Sequence, residues 1–335
     1  MHIKLIVNSR AGRKGGISTN GATIDDVRAA LAACGIAPDI EETREPGHAT
    51  ELARAAALAG YDGVIAAGGD GTTREAAIGL LGSGVPLGVM PLGSFMNVAR
   101  MLGIPRDLPG AAAVIAGGEA AAIDVGRAGK TYFLEAAGVG IDAALFHYTN
   151  QLDQGRWAAL AHAARVALRY RPQRVVVQLD WWTVEMDALM VTVANGPYCG
   201  ASFTVAPDAV ADDHQLDVCI YGPMSKWDVL RQLLHAAPTT AAPGAAARRA
   251  DPTTLVGEAE PASEGRVYAF KARDVRVSAP RPLPGHADSL PIGVTPLRFS
   301  LMPGALSVFV PTESRARHAA LSQPSAHHYV EASAL

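Results

Sequence analysis

The sequence predicts an α/β domain over residues 1–122, followed by an antiparallel β domain over residues 123–311. The first 120 residues repeat one pattern: an apolar strand, a glycine-rich turn and an alanine-rich helix. From Ile123 onward, strand-like apolar runs follow one another with few helices between them. The chain has 335 residues, 49% of them apolar, which is enough for two domains with hydrophobic cores of their own.

Strands and helices alternate in the first domain. The predicted strands are Ile3–Val7, Asp39–Glu42, Val64–Ala67 and Val85–Met90. The predicted helices are Asp25–Ala33, Ala49–Ala59, Arg74–Leu81, one ending at Leu102 and Ala111–Ala116. This alternation is typical of a parallel sheet with helices on both faces, whose ligands bind beyond the carboxyl ends of the strands.

The second domain is predicted to be an antiparallel sandwich or barrel. Its predicted strands are Ile123–Gly126, Thr131–Glu135, Val175–Leu179, Thr183–Met186, Ala188–Ala194, Leu216–Tyr221, Val267–Ala272, Val275–Ser278, Leu297–Leu301 and Ala305–Val310. Helices are predicted at 156–170 and 226–236, and a loop rich in Ala, Pro and Thr at 237–263. Residues 312–335 lack periodicity and are expected to form a flexible tail.

Composition excludes several classes of protein. A net charge of −3 and a pI near 6.4 argue against a general nucleic-acid binder. The three cysteines form no Cys-x-x-Cys pair, which argues against a disulfide scaffold or a cysteine zinc site and suits a reducing cytosol. Neither a targeting segment nor a transmembrane run is recognisable, so we expect a cytoplasmic protein that reaches membranes only from their surface.

The turn Gly68-Gly69-Asp70-Gly71-Thr72 follows an apolar strand and opens a helix. Its glycines let backbone N–H groups approach an anion, and the helix N-terminus adds partial positive charge, so the turn predicts phosphate binding. Asp70 within such a turn calls for a metal ion or a cationic group. The alternative is an ordinary glycine-rich turn in which the aspartate has no special role.

Two further loops follow the same plan. Gly12-Arg13-Lys14-Gly15-Gly16 lacks the Ser or Thr of a Walker A loop, and is either a basic phosphate loop or a solvated turn. Gly93 and Ser94 follow the next strand, where Ser94 either caps the following helix or donates to a phosphate oxygen.

Taken together, these segments resemble the catalytic family of the diacylglycerol kinases, in particular its bacterial soluble lipid kinases. The resemblance runs in order over nearly the whole chain, through VNSRAGRKGG (7–16), GGDGTTREAAIGLL (68–81), PLGSFMNVARMLGIP (91–105), AIDVGR (122–127), YFLEAAGVGIDA (132–143), VANGPYCGAS (193–202), APDAVADDHQLDV (206–218) and PIGVTPLRFSLMPGALSVFVP (291–311). NAD kinases share the GGDG element, but the second half of this chain is similar to the lipid kinases.

The resemblance implies a Rossmann-like nucleotide domain, a C-terminal antiparallel β-sandwich and an active site in the cleft between them. It also implies transfer of the γ-phosphate of ATP to a lipid hydroxyl with Mg²⁺. Together with the loops above, it assigns nucleotide contacts to Asn8, Thr43, Gly68, Gly69, Asp70, Gly71, Thr72, Thr73, Glu75, Gly93 and Ser94. Asp70 and Asp124 match acidic members of a Mg²⁺–water network. Val210, Asp213 and Gln215 match a structural Mg²⁺ site.

The chain departs from the family pattern at four positions. Arg74 replaces an asparagine, Asn97 an acidic member of the metal network, and His214 a glycine. Aligning the segment PIGVTP places Leu290 on the glutamate that is the implied general base of a late Asp-Gly-Glu motif. We expect Asp288, and after it His286, to replace this base. Transfer without a base and loss of catalysis remain the alternatives.

A basic segment could bring the protein to a membrane. Residues 156–174 contain five arginines and no acidic residue, and His162, Arg165 and Arg169 share one helical face. The alternative is an ordinary amphipathic helix with solvated arginines. For Trp181 and Trp182, packing in a hairpin or core is favoured over a lipid groove.

The leading hypothesis is therefore an ATP-dependent lipid kinase with a diacylglycerol-like acceptor at a membrane surface. The alternatives are a nucleotide- or lipid-binding protein without phosphoryl transfer, and a kinase for a soluble substrate such as NAD. A nucleic-acid partner is not expected. The sequence leaves the oligomeric state open, with a homodimer among the possibilities.

Overall fold

A computed structural model describes residues 1–11, 13–14, 17–18, 22–145, 158–200, 203–223, 248–249 and 267–312. The helix expected at 226–236 and the tail after residue 312 lie outside the described residues, as do residues 156 and 157 of the basic segment. Of the loop expected at 237–263, only residues 248–249 are described.

The first half of the chain alternates strands and helices, as expected. Its elements are β1 (Ile3–Val7), β2 (Arg13–Lys14), β3 (Ile17–Ser18), α1 (Ile24–Ala33), β4 (Asp39–Glu42), α2 (His48–Leu58), β5 (Gly63–Gly68), α3 (Asp70–Leu80), β6 (Leu87–Pro91), α4 (Asn97–Met101), α5 (Leu108–Gly117) and β7 (Ala120–Ala128).

The second half consists mainly of strands. Its elements are β8 (Thr131–Phe133), β9 (Ala136–Gly140), α6 (Ala158–Arg169), β10 (Gln173–Leu179), β11 (Trp182–Ala188), β12 (Met190–Ala194), β13 (Tyr198–Cys199), β14 (Phe203–Thr204), β15 (Leu216–Tyr221), β16 (Arg248–Arg249), β17 (Val267–Ala272), β18 (Asp274–Ser278), β19 (Pro284–Ala287), β20 (Leu290–Val294) and β21 (Leu297–Phe309).

One ten-stranded sheet runs through both halves of the chain. Its parallel part has the order β4-β1-β5-β6, and β21 then pairs in parallel with β6 through Val308 and Leu87. Beyond β21 the sheet continues with β18, β10 and β11, while β7 and β8 pair alongside. The last strand that the structure describes, β21, therefore returns to the first domain, and β7 spans the domain boundary expected at residue 122.

The second sheet has the order β16-β17-β15-β12-β9-β19-β20 and is antiparallel except for the pair β16–β17. It packs on the antiparallel part of the first sheet. Phe133, Val177, Val218, Val275 and Phe299 are buried in the core of this sandwich. A separate core fills the first domain, where apolar residues of the parallel strands and of the covering helices are buried.

Several elements differ from the sequence-based expectation, among them strand β9, which was not predicted. Helix α3 begins at Asp70 rather than Arg74, because Gly69 has the extended backbone of an N-cap. The two strands expected at 297–301 and 305–310 form one strand, β21, with an irregularity between Met302 and Leu306. No strand was predicted between Ser278 and Leu297, where the structure has the hairpin β19–β20.

Candidate active site

The glycine turn lies at the carboxyl edge of the parallel sheet. Leu92 N–H donates to the Gly68 carbonyl at 3.0 Å, so the turns after β5 and β6 lie against each other. A Cβ atom at Gly93 would lie 2.7 Å from Gly69 Cα, and a Cβ at Gly68 would lie 2.6 Å from the Thr72 side chain. This close packing requires glycine at both positions. A Cβ atom at Gly71, in contrast, would meet no atom within 4 Å, so open space lies beside the backbone there.

The predicted nucleotide residues converge on this edge. Asn8 Nδ2 donates to Thr72 Oγ1 at 3.0 Å, and Thr43 N–H donates to the Val7 carbonyl at 2.8 Å, so the ends of β1, β4 and β5 meet there. Thr73 Oγ1 donates to the Gly69 carbonyl at 3.2 Å within the first turn of α3. The nucleotide contacts of these residues stay predictions. The structure places the residues themselves at the carboxyl edge of the sheet, where such sheets bind ligands.

Asp70 begins helix α3 and faces the N-terminus of α4. Its Oδ1 accepts from Val98 N–H at 3.2 Å. Burial raises the pKa of this carboxyl, and backbone N–H groups of residues 96–98 oppose the rise. A partly buried carboxylate beside the glycine turn suits Mg²⁺, which takes oxygen ligands. Among the described residues no group of three or more His, Cys, Asp or Glu side chains is placed to hold a metal ion.

Asn97 and Glu135 join the two domains across the cleft. Asn97, the first residue of α4, donates from Nδ2 to Glu135 Oε2 at 2.7 Å and to the Gly200 carbonyl at 2.8 Å. Glu135 precedes β9 and is 7% exposed. Burial and the charges of Asp288 and Asp70 raise the pKa of Glu135 well above its usual range. Sequence reasoning missed Glu135, although a glutamate inside the apolar run YFLEAAGVG was a visible signal.

Asp288 occupies the turn of the hairpin β19–β20, where Asp288 and Ser289 both have positive φ, 42° and 66°. Its carboxylate accepts from the N–H groups of Leu134, Glu135 and Ala136 at 2.7, 3.0 and 3.2 Å. Burial raises the pKa of Asp288 to about 6, while these donors and the Arg74 charge oppose the rise. The role of Asp288 as a base stays a prediction. The observed contacts make it the residue that fixes segment 134–136.

His286 lies on strand β19 and Leu290 on strand β20 of this hairpin. His286 is 1% exposed, and its Nε2 lies 3.0 Å from Asp142 Oδ2. Leu290, which replaces the family glutamate, is 40% exposed. The hairpin therefore presents an apolar side chain where the resemblance implies a carboxylate.

Asp124 lies on β7 and contacts the loop before β15 and strand β21. It is fully buried and accepts from Gly304 N–H at 2.7 Å. His214 N–H donates to Asp124 Oδ2 at 2.7 Å, and His214 Nδ1 lies 2.9 Å from Oδ1. Asp70 and Asp124, expected in one network, thus have different protein partners: helix α4 for Asp70, and His214 with Gly304 for Asp124.

The predicted structural Mg²⁺ site contains a protein cation. Lys271 Nζ lies 2.5 Å from Asp213 Oδ2 and 3.2 Å from Asp217 Oδ2. Asp213 Oδ1 also accepts from Gln215 N–H at 3.0 Å. Since an ammonium group already bridges the carboxylates, this arrangement of Val210, Asp213 and Gln215 does not fit a bound Mg²⁺, and no chemistry is derived from one.

The predicted membrane-facing residues are exposed. His162, Arg165 and Arg169 lie on the exposed surface of α6. Trp181 is 86% and Trp182 39% exposed at the turn of the hairpin β10–β11, so the expected hairpin is present, but Trp181 does not pack in it. Within the described ranges, no helix has the length and hydropathy to span a membrane.

Comparisons with known proteins agree with this architecture. The family model for the diacylglycerol kinase catalytic domain matches residues 2–128, and that for the YegS C-terminal NAD kinase beta sandwich-like domain matches residues 135–240. A probable lipid kinase YegS-like of Pseudomonas aeruginosa is 30% identical over 300 residues, covering 87% of this chain and 91% of that protein.

Two further relatives extend the comparison. A diacylglycerol kinase of Bacillus subtilis is 33% identical over 180 residues, or 52% of this chain and 59% of that protein. The crystal structure of a putative diacylglycerol kinase from Bacillus anthracis has a TM-score of 0.67 at 24% identity and covers 93% of this chain and 98% of that chain. The predicted fold class, a nucleotide domain with a C-terminal antiparallel sandwich, is confirmed.

Proposed function

The chain belongs to the family of the diacylglycerol kinase catalytic domain, and from this premise we propose that it is an ATP-dependent lipid kinase. The proposed reaction transfers the γ-phosphate of ATP to the hydroxyl group of a lipid, with a diacylglycerol-like acceptor. Relatives named lipid kinase and diacylglycerol kinase support the reaction class. The observation that carries the proposal is the convergence of Asn8, Gly68–Thr72 and Gly93 at one sheet edge.

The geometry indicates how this edge would hold ATP. Backbone N–H groups in the first turn of α3 and the partial positive charge of the helix N-terminus would bind phosphate oxygens. The open space beside Gly71 would let the phosphates approach the backbone, and Asn8 orients the Thr72 hydroxyl. Asp70 would hold the Mg²⁺ of the nucleotide, which supplies charge neutralisation of the phosphates.

The acceptor would enter from the second domain. The exposed basic residues of α6 and the exposed Trp181 support docking on an anionic membrane surface, because basic and aromatic side chains both favour the lipid–water interface. In this proposal the protein associates peripherally with the membrane and takes its lipid from there.

The direct test is transfer of γ-labelled phosphate from ATP to a panel of lipids in mixed micelles with Mg²⁺, with NAD as a soluble acceptor. We expect label in a lipid product. Asp70→Asn should reduce kcat by about 100-fold or more, because removing one preorganised charge contact in a phosphoryl-transfer site has effects of this order. Label in NAD alone, or normal turnover of Asp70→Asn, would contradict the proposal.

A second candidate is a protein that binds nucleotide or lipid without transfer. Leu290 favours this candidate. Its side chain is exposed at the start of β20 and is aliphatic, so it cannot accept a proton there. This candidate predicts ATP binding with no labelled product under Mg²⁺ or Mn²⁺.

A further inference from the structure

The loop before β15 links the two domains through strand β7. Ala211 of this loop is buried in the core of the first domain, and its carbonyl accepts from Asp124 N–H at 2.6 Å. The resemblance implies a structural Mg²⁺ in the same loop. Of the three matching residues, only Asp213 has a charged side chain, because Val210 and Gln215 offer uncharged oxygen atoms. The cation that binds Asp213 therefore acts on the junction of the domains.

Both carboxylate oxygens of Asp213 accept hydrogen bonds from the chain itself. Lys271 Nζ donates to Oδ2 at 2.5 Å, and Gln215 N–H donates to Oδ1 at 3.0 Å. An oxygen ligand of Mg²⁺ lies about 2.1 Å from the ion. A Mg²⁺ ion on Asp213 would have to displace one of these donors, or it would lie beside an ammonium group that repels it.

The pairing of two strands fixes the position of Lys271. On β17 it lies directly opposite Asp217 of β15, so the two side chains share one face of the sheet. Lys271 Nζ lies 3.2 Å from Asp217 Oδ2 in addition to its contact with Asp213. One ammonium group thus joins β17 both to β15 and to the loop that precedes it.

The loop depends on this one positive charge. Among the described residues, Lys271 is the only cation that forms an ion pair with Asp213 or Asp217. The exposed Asp208 adds a further negative charge that acts on Asp217. Without Lys271 these carboxylates would repel one another, and their oxygen atoms would be available to a divalent cation.

We propose that the ammonium group of Lys271 takes the place of the structural Mg²⁺, so that the loop before β15 is held without a divalent cation. This inference goes beyond the proposed lipid-kinase function and does not depend on it. The Mg²⁺ of the proposed reaction is then the ion that accompanies the nucleotide, and removal of free divalent cations leaves the junction of the domains intact.

The test follows thermal unfolding of the full chain without nucleotide, in EDTA and in millimolar Mg²⁺ at equal ionic strength. We expect wild type to unfold at the same temperature in both buffers. Lys271→Met should unfold at a lower temperature than wild type in EDTA. Mg²⁺ should raise its unfolding temperature by about 2–4 °C, because the released carboxylates bind the ion in the folded state only.

Three further variants show whether the ion acts in this loop. Lys271→Met combined with Asp213→Asn lacks the anionic ligand, so Mg²⁺ should leave its unfolding temperature unchanged. Lys271→Arg keeps a positive charge and should, like wild type, show no response to Mg²⁺. Lys4→Met removes an ion pair with Glu41 in the first domain and is the matched control, which should not respond to Mg²⁺ either.

Three results would overturn the inference. The first is a wild-type unfolding temperature that rises in Mg²⁺, with the rise lost in Asp213→Asn, because the loop would then bind Mg²⁺ beside Lys271. The second is a Lys271→Met variant as stable in EDTA as wild type. The third is a destabilised Lys271→Met variant that Mg²⁺ does not stabilise, because Lys271 would then form an ordinary ion pair.

The inference can be decided without the variant at Lys271 and without an activity assay. If Lys271→Met does not fold in EDTA, the response of wild type and of Asp213→Asn to Mg²⁺ decides between the two cations. No lipid or ATP enters these measurements, so a protein that transfers no phosphate to any lipid would overturn the proposed function and leave this inference standing.

Discussion

Two groups of buried carboxylates differ in what balances their charge. The cleft cluster consists of Asp70, Glu135 and Asp288. Mutual repulsion adds to burial in raising the pKa of Glu135, and the charge of Arg74 only partly offsets the rise in the pKa of Asp288. The loop cluster consists of Asp124, Asp213 and Asp217. There Lys271 bridges Asp213 and Asp217, and His214 lies on Asp124.

The difference indicates which cluster has a functional role and which a structural one. Carboxylates that already have a protein cation need no ligand, so the ion pairs of Lys271 stabilise the contact of β17 with β15 and with the loop before it. Carboxylates that repel one another are destabilising until a cation or a proton arrives, and such groups are typical of catalytic sites. Changes in the cleft cluster should therefore affect turnover, and changes in the loop cluster should affect folding.

The largest effect on stability is expected from Lys271→Met in the loop cluster. It leaves the carboxylates of Asp213 and Asp217 without their cation, at side-chain exposures of 17% and 11%. We expect a loss of about 2–4 kcal/mol in the free energy of unfolding, somewhat below the value for a fully buried pair because Lys271 is partly exposed. Denaturant unfolding measures it. Lys4→Met, whose partner Glu41 is more exposed, is the control and should lose under about 1 kcal/mol. Equal losses in the two variants would remove the distinction between the clusters.

A smaller effect on stability is expected at Asp288. Unlike the carboxylates responsible for ordinary acid denaturation, Asp288 should stabilise the fold as the pH falls. Burial raises its folded-state pKa to about 6, above the unfolded value near 3.8, so the folded state binds the proton more tightly. Its contribution to stability is fully present below the unfolded pKa and declines as pH rises through 6. The free energy of unfolding of wild type, relative to that of Asp288→Asn, should therefore increase as the pH falls from 7 to 4. A difference that does not change over this pH range would show that burial does not raise the pKa of Asp288.

The smallest effect is expected from His214→Gly. His214 has φ 58°, a left-handed conformation that glycine adopts without strain. The substitution removes a half-exposed imidazole from Asp124, which keeps the N–H groups of Gly304 and of residue 214. The loss of the imidazole contact and the relief of backbone strain should offset each other. The free energy of unfolding should therefore change by no more than about 1 kcal/mol. Thermal unfolding measures the change in stability. A much larger loss of stability would mean that the imidazole is an essential cation of the loop cluster.

The sequence predicted the elements whose signals are local. The buried run before Gly68 and the turn that follows it identified β5, α3 and the sheet edge that we propose binds phosphate. Strand β9 (Ala136–Gly140) was missed because alanine and glycine carry little strand preference. The hairpin at 284–294 was missed because its turn residues, Asp288 and Ser289, are not the Asn-Gly or Asp-Gly pair that marks such turns.

Contacts between distant residues could not be predicted from the sequence. Pairing of β21 with β6 joins the two ends of the fold into one sheet, and no local pattern encodes it. The hydrogen bond from Asn97 to Glu135 joins residues that are 38 positions apart in the sequence. Likewise the metal ligands implied by the resemblance could be assigned by alignment, but the position of Lys271 between two of the aspartates required the structure.

The most direct test measures label transfer from ATP to lipid and thermal unfolding on the same preparations of wild type, Asp70→Asn and Lys271→Met. We predict that Asp70→Asn unfolds near the wild-type temperature but loses transfer, and that Lys271→Met unfolds at a lower temperature while its folded fraction keeps the wild-type kcat. Transfer that survives Asp70→Asn but disappears in folded Lys271→Met would contradict the assignment of catalysis to the cleft cluster.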